Sequence, residues 1–117
     1  FDDGLPEPVC MGSILRVSEA SDGAKNRILF SNPHNARTQE RKNLSLKLSY
    51  DEGKTWPVMK VLEEGRSGYS DLAMGVDGTL YCYYERGSFD EHHHNTAFLS
   101  VARFNVEWLT DGADALE

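Results

Sequence analysis

Residues 49–56, with the sequence SYDEGKTW, constrain the fold of this chain more than any other segment. The carboxylate of Asp51 can accept hydrogen bonds from the backbone N–H groups of the loop that follows it, and Gly53 can supply a position with positive φ. Trp56 leaves the turn with a large apolar ring that can pack back over the hairpin. The segment therefore predicts a hairpin turn, stabilised by its own side chains, between two antiparallel strands.

Short apolar runs alternate with turn signals along the rest of the chain. Clear turn signals lie at residues 21–23, 51–53 and 77–78. Seven strands are predicted, at residues 12–17, 27–31, 44–50, 57–62, 69–74, 79–85 and 97–105. No segment keeps a 3.6-residue period, so we expect at most one helical turn, at residues 106–109 or near the C-terminus. The chain is predicted to be all-β.

The predicted strand 44–50 has leucine at every second position and polar residues between, which is typical of a half-buried strand. Seven strands at this spacing fit a β-sandwich or part of a β-propeller. The grouping favours the propeller, because residues 12–62 form one antiparallel four-stranded meander whose outer hairpin carries residues 49–56. Residues 69–105 begin a second meander that lacks its fourth strand, which in a closed propeller commonly comes from the other terminus. We therefore expect about two blades, from the C-terminal portion of a larger protein.

The composition limits the partners of the chain. Its 117 residues include 12 Lys and Arg against 19 Asp and Glu, a formal net charge of −7. This argues against nucleic acid or an anionic membrane as the main partner, since either favours a basic surface. No apolar run approaches the roughly 20 residues of a membrane-spanning helix. Cys10 and Cys82 lie far apart without a distinctive spacing, so we expect two buried free thiols, with a disulfide as the alternative.

The pattern S-x-D-x-G-x-T-W at residues 49–56 resembles the Asp-box of sialidases and of other Asp-box β-propellers. Nearly the whole chain is similar, in order, to the C-terminal part of bacterial-type exo-α-sialidases (neuraminidases). The segments that carry this resemblance are LPEP and CMGSILR within residues 5–16, FSNP at 30–33, RKNLSLKLS at 41–49, SGYSDL at 67–72, YYERG at 83–87 and RFNVEWL at 103–109. The resemblance implies two blades of a six-bladed β-propeller, from a glycoside hydrolase that cleaves terminal sialic acid glycosides with retention.

Arg41 is, by this resemblance, the candidate receptor for the carboxylate of the substrate. Sialic acid carries a carboxylate on its anomeric carbon, and a planar, permanently charged guanidinium suits it. Arg41 matches the third arginine of the family's triad. Arg37 lies in the same loop and is the rival candidate. Without the resemblance, either would be interpreted as a surface arginine.

Tyr69 matches the tyrosine nucleophile of the family. A carboxylate that attacks a carbon already bearing a carboxylate meets like-charge repulsion, which a neutral phenol avoids if a neighbouring base removes its proton. Glu85 ends an apolar run, where a carboxylate is costly unless it is paired, and it matches the glutamate that orients an arginine of the triad. The alternatives are a tyrosine that packs its ring in a strand and a strand terminus that reaches solvent.

Residues 90–94, DEHHH, contain three consecutive histidines. Neighbours in an extended loop point apart and cannot converge on one ion, so we expect an exposed loop and no metal site. No cofactor is expected. The partners implied by the resemblance are a sialoglycoconjugate substrate and the remaining propeller blades of the parent chain. A secreted or periplasmic location is expected only from where sialosides occur.

The family's mechanism needs residues that this chain does not contain. Two arginines, an aspartate acid/base and the glutamate that partners the tyrosine would lie upstream of Phe1, so the isolated chain is expected to be inactive. Met11 departs from the polar residue expected at its position. Two other interpretations stay open. One is a non-catalytic Asp-box propeller that binds carbohydrate or protein, and the other is a self-standing β domain that closes its edges against copies of itself.

Overall fold

A computed structural model of the chain describes residues 2–92 and 95–116. Within them the backbone forms six strands and two single-turn helices. In chain order they are β1 (Ser13–Ser18), a 3-10 helix (Ala20–Asp22), β2 (Arg27–Pro33), β3 (Lys42–Ser49), β4 (Val58–Met74), β5 (Leu80–Arg86), β6 (Phe98–Phe104) and α1 (Val106–Leu109). The α-helical turn lies at one of the two places where the sequence predicted a single helical turn. The 3-10 turn was not predicted, so the limit of one helical turn is wrong. Asn105 caps it by accepting a hydrogen bond from the backbone N–H of Trp108 at 2.7 Å.

The strands pair in chain order, and every pair is antiparallel. The all-β, antiparallel prediction is confirmed. β4 is one continuous strand that connects two meanders, because residues 58–66 pair with β3 and residues 67–74 pair with β5. The sequence predicted two separate strands with a break at residues 63–68, which is wrong. Gly65 and Gly68 do not take the positive φ of a turn here, so the strand runs through them.

The turn between β3 and β4 is held as its sequence predicted. Asp51 accepts hydrogen bonds from the backbone N–H of Thr55 at 2.8 Å and from the Thr55 hydroxyl at 2.7 Å. These bonds are the main reason that the pKa of Asp51 falls to about 2. The backbone N–H of Gly53 donates to Ser49 Oγ at 2.9 Å, and Gly53 has a φ of 82°. The turn therefore stabilises the β3–β4 hairpin with its own side chains.

Trp56 connects this turn to the N-terminal segment. Its ring lies 5.8 Å from the ring of Phe30 on β2, so it packs back over the strands as predicted. Its indole N–H donates to Asp2 at 3.2 Å, and Asn32 on β2 donates to the carbonyl of Pro6 at 3.0 Å. These contacts hold the N-terminal segment against β2.

The core contains apolar side chains from all six strands and α1. The buried members are Val17, Leu29, Leu44, Leu46, Leu48, Leu72, Leu80, Cys82, Tyr84, Phe104, Val106 and Leu109. β3 is buried on both faces, because its polar residues Ser45, Lys47 and Ser49 are covered as well as its leucines. The expectation of a half-buried strand is therefore wrong. On the second face of β3, Lys47 contacts side chains of the neighbouring strand β2: its Nζ donates to Asn32 Oδ1 at 2.8 Å and lies 5.8 Å from the ring of Phe30.

A buried ion pair holds the C-terminal segment against β2. Nε and Nη2 of Arg27 donate to the two carboxylate oxygens of Asp114 at 2.7 and 2.6 Å. The Tyr50 hydroxyl also donates to Asp114, at 2.9 Å. The hydrogen bonds from Arg27 lower the pKa of Asp114, whereas burial and the bond to Asp114 raise the pKa of Tyr50 to about 12. No sequence pattern marked these three residues.

Candidate active site

The start of β3 and the second half of β4 bring Arg41 beside Tyr69. Arg41 comes directly before β3, and its carbonyl accepts a hydrogen bond from the backbone N–H of Ser67 at 3.1 Å. This bond extends the β3–β4 ladder to Ser67, which precedes Tyr69 by two residues. The guanidinium carbon of Arg41 lies 5.3 Å from the centroid of the Tyr69 ring, a cation–π contact. Tyr69 is 45% exposed, so a ligand can reach it.

Arg41 is held from its other side by the N-terminal segment. Its Nη2 donates to the carbonyl oxygen of Val9 at 2.7 Å. Val9 has a φ of 55°, which is rare for a β-branched residue. The Nε atom of Arg41 is buried and has no hydrogen-bond partner among the described residues. The guanidinium is therefore placed by one carbonyl and one aromatic ring, and no carboxylate in the described part of the chain neutralises it through a salt bridge.

The loop that leads to Arg41 is ordered by the side chain of Asn35. Asn35 Oδ1 accepts from the backbone N–H of Arg37 at 3.1 Å, and its amide nitrogen donates to the hydroxyl of Thr38 and to the carbonyl of Glu40, both at 2.7 Å. The side chain of Arg37 is exposed. Within residues 2–92 and 95–116, no hydrogen bond or ring contact connects that side chain to Tyr69 or to any other candidate residue.

Glu85 on β5 contacts Tyr69 through the backbone. Its Oε2 accepts a hydrogen bond from the backbone N–H of Tyr69 at 3.0 Å. The neighbouring Gly68 makes room for this carboxylate, because a Cβ at that position would lie 2.3 Å from the same oxygen. The sequence expectation that Glu85 orients an arginine stays a prediction, since none of the described arginines pairs with it.

A shallow depression of about 480 Å³ lies in front of Tyr69. Its lining residues are Met11, Gly12, Tyr69, Ser70, Asp71, Tyr83, Glu85 and Leu99. Asp71 accepts a hydrogen bond from the Ser13 hydroxyl at 2.9 Å, which joins β4 to β1. The sequence analysis did not single out Asp71 or Tyr83. The period of two along β4 and β5 is the signal that could have found them, because it places them on the same faces as Tyr69 and Glu85.

Both cysteines are free, as expected, but only Cys82 is buried. Cys10 is half-buried beside the site. Burial raises the pKa of the Cys10 thiol, and the nearby charge of Glu85 raises it further, whereas Arg41 opposes the shift. The thiol of Cys10 is therefore harder to ionise than that of an exposed cysteine.

No group of three metal-ligating side chains is found among the described residues. His92 is exposed, and its carbonyl accepts a hydrogen bond from Arg66 Nη1. The other two histidines of the predicted exposed loop, His93 and His94, lie outside the described residues. None of the helices in the described part of the chain is long and apolar enough to cross a membrane.

No protein-family model matches the chain. The sialidase of Micromonospora viridifaciens is 34% identical to it over 112 residues, which cover 93% of this chain. This chain is a sialidase-like segment. It is also 41% identical over 86 residues to the sialidase of Bacteroides fragilis, a match that covers 69% of the segment. The solved structure of the Hadza microbial sialidase Hz136 superposes on 88% of the segment with a TM-score of 0.67 and 32% identity.

The sialidase-like segment spans only part of these proteins. It covers 16% of the Micromonospora sialidase, 15% of the Bacteroides sialidase and 19% of the Hz136 chain. The resemblance to sialidases is confirmed, and six antiparallel strands in two meanders fit part of the propeller of such proteins. The boundaries of the two predicted blades, at residues 12–62 and 69–105, stay a prediction.

Proposed function

We propose that the protein to which this segment belongs is an exo-α-sialidase that hydrolyses terminal sialic acid glycosides of glycoconjugates with retention of configuration. The observation that carries this proposal is the contact between Arg41 and Tyr69, at 5.3 Å from guanidinium carbon to ring centroid. A receptor for a carboxylate and a nucleophile for the carbon that bears it must lie side by side, and these two residues do.

Arg41 would bind the carboxylate of the sialic acid. Its guanidinium already has one fixed acceptor, the carbonyl of Val9, and no described carboxylate bonds to it. It therefore keeps both its positive charge and donors for an incoming anion. A bidentate pair between arginine and carboxylate also fixes the orientation of the sugar ring.

Tyr69 would attack the anomeric carbon through its phenolic oxygen. As the new C–O bond forms, the bond to the leaving sugar breaks, and the leaving oxygen takes a proton from the acid/base aspartate expected elsewhere in the protein. The phenolic proton passes to the glutamate expected beside Tyr69 in the complete propeller. A water molecule, deprotonated by the same aspartate, then displaces Tyr69, whose departing phenolic oxygen takes its proton back from the glutamate. The two inversions retain the configuration.

Glu85 would orient an arginine supplied by another blade. Only Oε2 of its carboxylate is engaged within residues 2–92 and 95–116, so Oε1 can accept from such an arginine. The remaining blades would thus contribute residues to the active site in addition to packing against this segment. Stabilisation of the transition state would be shared among residues on several blades, so we expect the segment alone to be inactive.

The test is turnover of a fluorogenic sialoside by the full-length protein and by its Tyr69→Phe variant. We expect Tyr69→Phe to lose roughly 10³-fold or more in kcat, as enzymes do when the nucleophile is removed. Tyr81→Phe is the matched control, because Tyr81 lies on β5 outside the depression, and it should keep wild-type turnover. A fluorinated sialosyl donor that forms a slowly hydrolysed adduct should add its mass to the peptide that contains Tyr69.

Two results would count against the proposal. Unchanged turnover in Tyr69→Phe would exclude Tyr69 as the nucleophile. Sialoside binding without turnover by the wild-type protein would instead favour the non-catalytic Asp-box propeller.

A further inference from the structure

The ladder between β4 and β5 contains a β-bulge at Gly68 and Tyr69. Ser67 pairs with Arg86, and the next pair joins Ser70 to Tyr84. β4 therefore has one residue more than β5 in this interval, and neither Gly68 nor Tyr69 has a partner in the register. Such bulges redirect a side chain, and they are common next to active sites.

A side chain replaces the lost ladder partner of Tyr69. The backbone N–H of Tyr69 donates to Glu85 Oε2 at 3.0 Å, across 16 positions of sequence. The bulge is thus closed by a side-chain carboxylate whose position depends on the β5 backbone.

Gly68 is required for this arrangement. A Cβ at position 68 would lie 2.3 Å from Glu85 Oε2 and 3.4 Å from both Cβ and Cδ of Glu85. The contacts at 3.4 Å are ordinary van der Waals contacts, but the 2.3 Å approach is too close, so Oε2 would have to move away from the Tyr69 N–H. Gly65 is a contrasting glycine of the same strand, where an added Cβ would approach only Oε1 of Glu63, at 3.3 Å.

We infer that Glu85 is a positioning residue for Tyr69. Its carboxylate holds the Gly68–Tyr69 bulge closed, and the closed bulge directs the Tyr69 ring toward Arg41 and the depression. This inference rests on the proposed function for its catalytic consequence. It adds a second role to the one proposed above for Glu85, since the bond to the Tyr69 backbone uses Oε2 and leaves Oε1 for an arginine.

Three variants of the full-length protein separate the two roles. In Glu85→Gln the amide oxygen can still accept the Tyr69 N–H, but the charge that would pair with an arginine is gone. Glu85→Ala removes both functions. Gly68→Ala keeps the charge of Glu85 and displaces it from the Tyr69 N–H. Gly65→Ala is the control for adding a methyl group to β4.

The first measurement is the rate of adduct formation with a fluorinated sialosyl donor, beside the KM for a fluorogenic sialoside. We expect Gly68→Ala and Glu85→Ala to slow adduct formation at least tenfold, with KM changed less than threefold in Gly68→Ala. Glu85→Gln should form the adduct at least threefold faster than Glu85→Ala. Wild-type kinetics in Gly68→Ala, or equal rates in Glu85→Gln and Glu85→Ala, would overturn the inference.

The second measurement is hydrogen exchange at the Tyr69 amide, which does not depend on catalysis. We expect the protection of this amide to fall at least tenfold in Glu85→Ala and to persist in Glu85→Gln and Gly65→Ala. Equal protection in wild type and Glu85→Ala would overturn the inference even in a protein with full activity. If the wild-type protein has no sialidase activity, the proposed function falls, and the exchange result alone decides whether Glu85 closes the bulge.

Discussion

The carbonyl oxygen of Val9 accepts a hydrogen bond from Nη2 of Arg41 at 2.7 Å, across 32 positions of sequence. Val9 reaches this position with a φ of 55°. Strained backbone of this kind is enriched at functional sites, where the surrounding structure enforces it. The N-terminal segment therefore supports the proposed carboxylate receptor in addition to covering β2.

Val9→Pro should weaken substrate binding. Proline cannot adopt a positive φ, so the carbonyl at position 9 has to move away from Arg41. A hydrogen bond to a charged group contributes roughly 1.5–3 kcal/mol, and we expect KM for a fluorogenic sialoside to rise about tenfold or more. Val9→Gly, which accepts a positive φ without strain, should keep the wild-type KM. Equal KM values for the two variants would show that this carbonyl does not position Arg41.

Arg41→Lys should lower kcat/KM although it keeps the positive charge. A lysine ammonium lacks the planar fork that binds a carboxylate through two bonds, and it also loses the stacking on Tyr69. We expect a loss of roughly tenfold or more, which corresponds to about 1.4 kcal/mol of transition-state stabilisation. Arg37→Lys is the matched substitution in the same loop, and its steady-state kinetics should be those of wild type. A loss of kcat/KM in Arg37→Lys, with wild-type kinetics in Arg41→Lys, would make Arg37 the receptor for the carboxylate.

Asp114→Asn should destabilise the fold, because it replaces the carboxylate of a buried ion pair with a neutral amide while the guanidinium of Arg27 stays buried. Such changes cost about 3–5 kcal/mol, measured as the free energy of unfolding in denaturant at neutral pH. Asp111→Asn removes an ion pair in which the aspartate side chain is 84% exposed, so its effect should stay within about 1 kcal/mol. Similar losses in the two variants would contradict the structural role assigned to the buried pair.

The same pair predicts a loss of stability in acid. Asp114 has a lowered pKa in the folded protein, so the folded state binds fewer protons than the unfolded state below the ordinary carboxyl pKa near 4. The stabilisation of the fold by ionised Asp114 is complete above that pH and is lost as the pH falls toward the lowered pKa. The difference in unfolding free energy between wild type and Asp114→Asn should therefore shrink below about pH 4. A difference that stays constant there would contradict the assignment.

Lys47 should produce a dependence of the same sign at alkaline pH, because its pKa is also lowered in the folded protein. Burial lowers its pKa from 10.5 to about 8, so between these values the unfolded chain holds a proton that the folded chain has released. The free energy of unfolding of wild type should rise with pH relative to Lys47→Met, by roughly 1.4 kcal/mol for each unit of lowering. Denaturant unfolding of both proteins from pH 7 to 10.5 measures this, and other titrating groups cancel in the difference. A constant difference in unfolding free energy between the two proteins across this pH range would contradict the lowered pKa of Lys47.

Sequence patterns predicted the elements well where their interactions are local. The turn at residues 49–56 and the helical turn at 106–109 were found because the side chains that hold them lie within four positions of each other. The continuous strand β4 was missed. Its interval at residues 63–68 is polar and contains two glycines, and only pairing with β3 and β5 shows that this interval is extended.

By itself, the sequence determined the hairpin turn, the all-β class and, through the resemblance, the candidates Arg41, Tyr69 and Glu85. Tertiary structure alone decided that Arg41 stacks on Tyr69, that Val9 supplies its acceptor and that Gly68 makes room for Glu85. It also decided that Lys47, which alternates with leucines as a solvent-facing residue would, is buried. The reason is physical: these contacts cross strands and depend on the register of two ladders. That register, with its bulge at Gly68–Tyr69, is set by the packing of the whole sheet and not by the residues on either side of the contact.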